Sequence, residues 1–547
     1  MIKTYFTILL TCLCTALATA QTFQSSNLPI IYINTDGRQI LDDPKIKAEM
    51  KIIYNGPGKT NSISDKPNHY DGFIGIEIRG SSSQMFPKKS YGIELWDEQG
   101  KSKDASIFGM PEESDWILYA SYNEKSLMHN VLTMKLAREM GIYASRTQYV
   151  EVFLNNNYIG VYVFMEKIKR APGRVDISKL KETDLKGDDI TGGYIFKVDK
   201  TTGTDIGGWT SQYQNNPPAT NKTFYAYEAP KSITPEQRTY ISSYVANAET
   251  VLKSNKFMDK DEGYRKYFDT HSFIKLFLAN EISKNVDGYR ISTFFYKDKD
   301  SKGGKIKAGP PWDYDIAYGN GEYCEGYTYR GFSYQFNNVC PNDGYQVPFW
   351  WERMMEDSTF VQELGEEYSF QRRKGAFRLD RINEHIDSLV AQLQVPSQRN
   401  FQKWPILGVY VWPQPTPIAS SWAGEVQELR SFIINRLAWL DKNIKQPLDL
   451  TITATDPENA TNVLSMNAFP NPFLDRIYIR IYSPRSEKAL LSLYDTNGKL
   501  LTQINETLQV GENQVMIQIP PSLHLSSINL LQLESNGQKI VKKMMQQ

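Results

Sequence analysis

The sequence predicts an α+β protein in two folded parts, a large mixed domain followed by a small all-β tail. Three observations predict it. In the first half the apolar residues alternate in short runs separated by turn residues, the period of strands. Beyond about residue 235 the spacing becomes mostly helical. Near residues 447–464 the composition shifts to Thr, Asn, Asp and Ala, as in a linker, and alternation returns after it. A chain of 547 residues also exceeds one ordinary core, so two or more domains are expected.

The first element is a leader. Lys3 supplies a positive start, and Phe6 to Ala18 is apolar apart from small hydroxyls and two cysteines. Ala18-Thr19-Ala20 is a small-x-small cleavage pattern, so residues 1–20 read as a signal peptide and Gln21 as the mature start. No later stretch approaches the ~20 apolar residues of a membrane span, so a soluble mature protein is expected.

Leu28 to Asn34 and Ile46 to Tyr54 read as strands. Phe73 to Ile78 and Ser90 to Trp96 alternate about a polar loop, Arg79-Gly80-Ser81-Ser82-Ser83, closed by Phe86-Pro87-Lys88-Lys89. Ser126 to Met140 has helical spacing, with Leu127, Val131, Met134 and Leu136 in phase, and stops at Gly141. Tyr149 to Leu154 and Ile159 to Phe164 form a hairpin about three asparagines, and Gly193 to Val198 adds a strand. Phe273 to Ile282 and Ala423 to Trp439 are helices. In the tail, Ile477 to Ile481, Leu490 to Tyr494 and Gln514 to Ile519 alternate. Asn497-Gly498 and Asn536-Gly537 are hairpin turns, which together make a β-sandwich of roughly 80 residues.

Charge and cysteine content narrow the function. Lys plus Arg equals Asp plus Glu at 62 each, which removes the electrostatic case for a nucleic-acid partner or an anionic membrane. Cys324 and Cys340 remain after processing and, in an exported chain, read as a disulfide closing a Tyr- and Asn-rich loop. The five histidines are scattered and offer no zinc spacing.

Four segments carry candidate chemistry. Arg79-Gly80-Ser81 can present backbone N–H groups, with Lys88 or Lys89 on the returning strand able to meet phosphate oxygens. Glu166 ends a strand, where a carboxylate either pairs with a lysine or is exposed, and exposure is the simpler expectation. Asn285-Val286-Asp287-Gly288-Tyr289 follows an apolar helix, where an Asp either caps or acts from a loop held by a rigid element. Gly309-Pro-Pro-Trp-Asp313-Tyr-Asp315 places two carboxylates at i, i+2, hard oxygen ligands suited to magnesium or manganese. An Asp-rich turn is the bland alternative for this last segment.

Arg-Gly-Ser followed by Phe-x-Lys-Lys-Ser-Tyr, then Ser126-Leu-Met-x-Asn130, Gly160-Val-Tyr, Asn-x-Asp-Gly-Tyr and Pro-Trp-Asp-Tyr-Asp together resemble the CotH kinase family from about Leu28 to Ile444. The resemblance implies an atypical protein-kinase-like, two-lobed domain over residues 21–446 that binds ATP with Mg²⁺ or Mn²⁺ and modifies a protein acceptor. By that resemblance Asp287 is the catalytic base, and Asp313 the metal aspartate with Asp315 beside it. Lys88 or Lys89 is the phosphate lysine, while Arg79, Gly80, Ser81, Asn130 and Glu166 belong to the nucleotide site. Two departures stand out. Ser292 takes the place of a second metal-binding Asn five residues after Asp287, and His129 replaces a basic residue before Asn130. The tail, with Ala468-Phe-Pro-Asn-Pro-Phe, Tyr494-Asp-Thr-Asn-Gly-Lys and Lys539-Ile-Val-Lys-Lys, resembles the type IX secretion sorting domain over residues 465–547. It implies Bacteroidetes-type export through the periplasm, handling by the outer-membrane secretion machinery, and a secreted or cell-surface product. Two other functions fit less of the pattern: a non-catalytic adhesion protein on the same fold, and a glycosidase using Asp313 and Asp315. The second is disfavoured because carboxylates two residues apart do not stand on separate walls.

Overall fold

The computed structural model describes residues 23–200, 207–445, 464–469, 473, 476–519 and 528–546. The expected signal peptide and all but the last residue of the expected linker lie outside them. Within the described residues, seven strands close into a barrel in the order Ile30–Asn34, Ile46–Ile53, Tyr70–Arg79, Ser90–Trp96, Asp115–Tyr119, Asn157–Glu166 and Thr147–Leu154. Every pair is antiparallel except the closing one, where Ile30–Asn34 runs parallel to Thr147–Leu154. Inward positions carry Ile31, Ile33, Met50, Ile52, Ile74, Ile76, Ile93, Leu95, Trp116 and Phe164 as one apolar core. Closure leaves no unpaired strand edge. Both hairpins expected from alternation are members of this barrel.

A second sheet has five antiparallel strands in the order Gly208–Gln214, Lys222–Ala229, Tyr194–Val198, Thr293–Lys297 and Ile306–Ala308. Helices pack around it. Pro235–Lys253 starts at a capping box of Thr234 with Gln237 and has Pro in its first turn. Thr270–Ser283 is capped by the Asp269 carboxylate, is buried over most of its surface, and ends at Lys284 in a left-handed conformation. His129–Glu139, Ser358–Arg373, Leu379–Lys403 and Trp422–Asn443 complete a core that also holds Trp350 and Trp351. The content is α+β, but the expected division into a strand half and a helical half needs correction. Thr293–Lys297 pairs with Tyr194–Val198 across almost a hundred residues of intervening chain. Thr293–Lys297 and Ile306–Ala308 are short strands set within a mostly helical stretch of sequence.

The tail folds as two sheets. Ser465–Phe469, Arg476–Ser483 and Gly511–Gln518 form one. Leu500–Leu508, Glu487–Asp495, Ile528–Ser535 and Gln538–Met545 form the other. Its core, with Ile477, Ile479, Leu491, Leu493, Leu531 and Leu533, draws only on tail residues. Asn536 and Gly537 both take positive φ, as a tight hairpin turn demands. No described helix is long and apolar enough to cross a membrane.

Candidate active site

The buried helix Thr270–Ser283 ends in a turn, and that turn delivers Asp287. Lys284 takes φ 44° and Tyr289 φ 70°, so the chain reverses tightly and the Asp287 side chain stays 18% exposed. Its Oδ1 accepts from Arg290 Nη2 at 2.7 Å and from Tyr323 Oη at 3.1 Å. Among the described residues no group donates to Oδ2. One carboxylate oxygen is thus held and the other is open.

Asp313 and Asp315 lie on the loop that follows the short strand Ile306–Ala308. Asn285 ties this loop to the Asp287 turn: its Nδ2 donates to the Asp313 carbonyl at 3.0 Å, and its Oδ1 accepts from the Asp287 N–H at 3.1 Å. Ser292 Oγ donates to Asp313 Oδ2 at 3.3 Å. Asn123, just past the barrel strand Asp115–Tyr119, donates to Asp315 Oδ2 at 2.8 Å. Asp313 at φ 66° and Ser292 at φ 49° both sit in left-handed backbone. Such conformations cost of order 1–3 kcal/mol each and concentrate at functional sites.

The electrostatics are crowded with negative charge. Removal from bulk water, together with Asp315, Asp287 and Asp199, holds the Asp313 carboxyl well above the usual range. The same desolvation raises Asp287; Arg290 opposes it and Asp315 adds to it. Arg79 ends the barrel strand Tyr70–Arg79. Its guanidinium lies 5.8 Å from the Trp312 ring centroid, feels the charges of Glu228, Glu77 and Asp313, and forms no ion pair with a described residue. Gly80 and Ser81 are exposed beside it. Gly80 has φ 108°, and a Cβ there would meet Ser83 Oγ at 2.0 Å.

Other predicted residues face elsewhere. Lys88 is 2% exposed and points away from the aspartates, donating to the Val161 carbonyl at 2.6 Å and to Asn400 Oδ1 at 3.0 Å. Gly160, at φ 109°, makes room for this contact, since a Cβ would stand 2.7 Å from Asn400 Oδ1. Lys89 donates to the Gln84 carbonyl at 2.5 Å. Glu166, expected to be exposed, is fully buried. Its Oε1 accepts from Arg146 Nη1 at 2.8 Å, and Arg174 Nε lies 3.7 Å away. A carboxylate can end a strand inward only where cations compensate it, and those come from outside its own segment. Asn130 serves the aspartate loop through its backbone, its Oδ1 accepting from the Tyr314 N–H at 2.9 Å. Cys324 and Cys340 are bonded.

The sequence reading missed Asp199, Arg290 and Tyr323. Asp199 follows the strand Tyr194–Val198 and its Oδ1 accepts from the Ser292 N–H at 3.4 Å. Arg290 stands three residues after Asp287, an available signal, whereas Asp199 and Tyr323 carry none in sequence.

Residues 76–440 match the CotH kinase protein family. The chain belongs to that family. Residues 467–547 match the secretion system C-terminal sorting domain, which directs this CotH protein to the cell surface or beyond. Inner spore coat protein H of Bacillus subtilis (strain 168) is 24% identical over 282 residues, covering 52% of this chain and 65% of that protein. The chain thus spans just under two thirds of that relative's length. A crystal structure of dimeric latent PorU from Porphyromonas gingivalis matches 15% of this CotH protein and 9% of that chain, at 19% identity and a TM-score of 0.14.

Proposed function

We propose that this protein is an exported atypical kinase that transfers phosphate from ATP to a protein Ser or Thr hydroxyl. Beyond family membership, the observation that carries the reading is the state of Asp287, with Oδ1 held by two donors and Oδ2 open beside a carboxylate cluster. A base whose proton affinity is raised accepts a hydroxyl proton more readily at neutral pH. Arg290 and Tyr323 orient it.

A divalent cation fits the donor set. Asp313 and Asp315 would hold it, with the Ser292 hydroxyl beside Asp313, and the crowding of carboxylates around Asp313 is what a cation relieves. Among the described residues no three His, Cys, Asp or Glu side chains form a closed metal shell. Magnesium is commonly held by one or two carboxylates plus phosphate oxygens and water, so an open shell agrees with the assignment. Bound Mg²⁺ or Mn²⁺ would neutralise phosphate charge. Arg79 takes the phosphate contact in this reading, since Lys88 and Lys89 are engaged by backbone carbonyls. The nucleotide would bind between the barrel and the part built from the five-stranded sheet and its helices, within a domain spanning residues 21–446. Residues 1–20 are removed as the signal, and residues 465–547 engage the outer-membrane secretion machinery.

A non-catalytic binding protein on the same fold is the second reading, favoured by the engagement of Lys88 and Lys89 away from the aspartates. Calorimetric titration of the mature protein with ATP and Mn²⁺ separates the two. Binding, with Asp287→Asn keeping affinity but losing about 10²–10⁴-fold in radiolabel transfer, supports the kinase. A folded wild type that binds no ATP with either metal defeats it.

A further inference from the structure

We propose that the Cys324–Cys340 disulfide, acting through Tyr323 and Asp343, positions Asp287, so that transfer requires the bridge to be closed. The inference rests on the kinase reading above and names the part of the fold on which its base depends.

Each end of the bridge adjoins one holder of Asp287. Tyr323, immediately before Cys324, donates its hydroxyl to Asp287 Oδ1 at 3.1 Å. Asp343 follows Cys340 by three residues and its N–H donates to the Cys340 carbonyl at 3.2 Å. Asp343 Oδ1 in turn accepts from Arg290 Nη1 at 3.2 Å, and the Tyr345 carbonyl accepts from the same nitrogen at 3.2 Å. The Phe336 ring supports the guanidinium with its centroid 4.0 Å from Cζ. The other end of that guanidinium, Nη2, donates to Asp287 Oδ1 at 2.7 Å. Among the described residues, apart from the Val286 carbonyl in its own turn, every partner that orients Arg290 toward Asp287 comes from residues 336–345.

This segment has little regular structure to hold it. Between the cysteines lie only the short 3₁₀ turn Ser333–Gln335 and the one-turn helix Phe336–Val339. Lys284, Arg436 and Glu281 tie down residues 325–334 between them, and the covalent closure adds a restraint at the two ends, where Tyr323 and Asp343 lie. None of the side-chain hydrogen bonds of Asp313, Asp315 or Ser292 comes from residues 323–345. Opening the bridge should therefore loosen the base and spare the metal and nucleotide groups. The opening step is defined: a dithiol gives two electrons and two protons to the sulfurs, leaving two thiols and its own cyclic disulfide. Disulfides form in oxidising compartments outside the cytoplasm, so the base would be completed only after export.

The test uses the mature secreted protein, [γ-³²P]ATP with Mn²⁺, and dephosphorylated casein as the protein probe. The Cys324→Ser/Cys340→Ser pair should lower kcat by about 10–100-fold, the cost of a slightly misplaced catalytic group. ATP affinity by calorimetry and KM for casein should stay within about twofold of wild type. Tyr323→Phe removes only the hydroxyl and should also lower kcat. Combined with the serine pair it should add little, because opening the bridge already loosens the one contact that Tyr323→Phe removes. Tyr327→Phe, exposed inside the same loop, should leave kcat unchanged. A serine pair that transfers as fast as wild type overturns the inference while leaving the kinase reading intact, as do additive losses with Tyr323→Phe. A wild type that transfers nothing to casein or to itself overturns both.

Discussion

Asp313→Asn should make the metal-free protein more stable and the metal–nucleotide complex less so. Asp313 shares its surroundings with Asp315, Asp287 and Asp199, and burial with this repulsion keeps its carboxyl protonated well above the usual range. An amide removes the group whose ionisation the cluster penalises, can still accept the Ser292 hydroxyl, and leaves the Asn285 bond to the residue-313 carbonyl in place. Asn is also among the side chains that tolerate the φ of 66° found here. The expected gain without metal is about 0.5–2 kcal/mol, the usual size of such relief. The sign fixes the pH window. A carboxyl raised in the folded state costs stability as pH climbs from the ordinary carboxylate range through its folded value, and the loss is complete above it. That slope should vanish in the variant. With Mn²⁺ and ATP at a hundred times their Kd, wild type should gain about 2.7 kcal/mol and the variant almost none, so the order of stabilities inverts. Urea unfolding at pH 7 with and without the ligands reads both effects. A variant less stable than wild type without metal, or one that keeps the full ligand-induced gain, refutes the reasoning.

Three further outcomes are expected. Glu281 and Arg436 form an ion pair in which both side chains are fully buried, at 2.7 Å, under the helix that presents Asp287. Arg436→Ala leaves that carboxylate uncompensated and should cost about 3–5 kcal/mol in urea unfolding, and a loss below ~1 kcal/mol would count against the pairing. Burial pushes the Lys88 ammonium down to about 7 from 10.5, so the unfolded chain binds more protons between those values and stability should rise with pH across that window. Lys88→Met should flatten the rise in a denaturation series, and an unchanged slope would mean that the lysine is hydrated. Intact-mass measurement of the secreted protein should show loss of residues 1–20 and removal of the tail after about residue 462; a mass that retains Met1 would contradict the signal peptide.

Much of the local structure was legible in the sequence because it depends on neighbours along the chain. Alternation marked Tyr70–Arg79 with Ser90–Trp96 and Thr147–Leu154 with Asn157–Glu166. Helical spacing marked Thr270–Ser283 and Trp422–Asn443, and the Asn-Gly pairs marked the tail hairpins. Ordered motifs grouped Asp287, Asp313 and Asp315 as one candidate site across up to 28 residues of chain, and Asn285 links the two loops that carry them.

Side-chain direction was decided only by the tertiary structure. Lys88 and Lys89 are adjacent in sequence, yet the partner that buries Lys88 is Asn400, 312 residues away. Glu166 ends its strand inward because Arg146 and Arg174 reach it from other segments. Barrel closure depends on a parallel pairing between Ile30–Asn34 and Thr147–Leu154 that no local period announces. Asp199, Arg290 and Tyr323 join the aspartates because sheet register and a stapled loop bring them there. Backbone propensity is a property of short stretches and can be read from them. The partner of a buried charge is chosen by the whole fold, because leaving such a group uncompensated costs more than any local preference can supply.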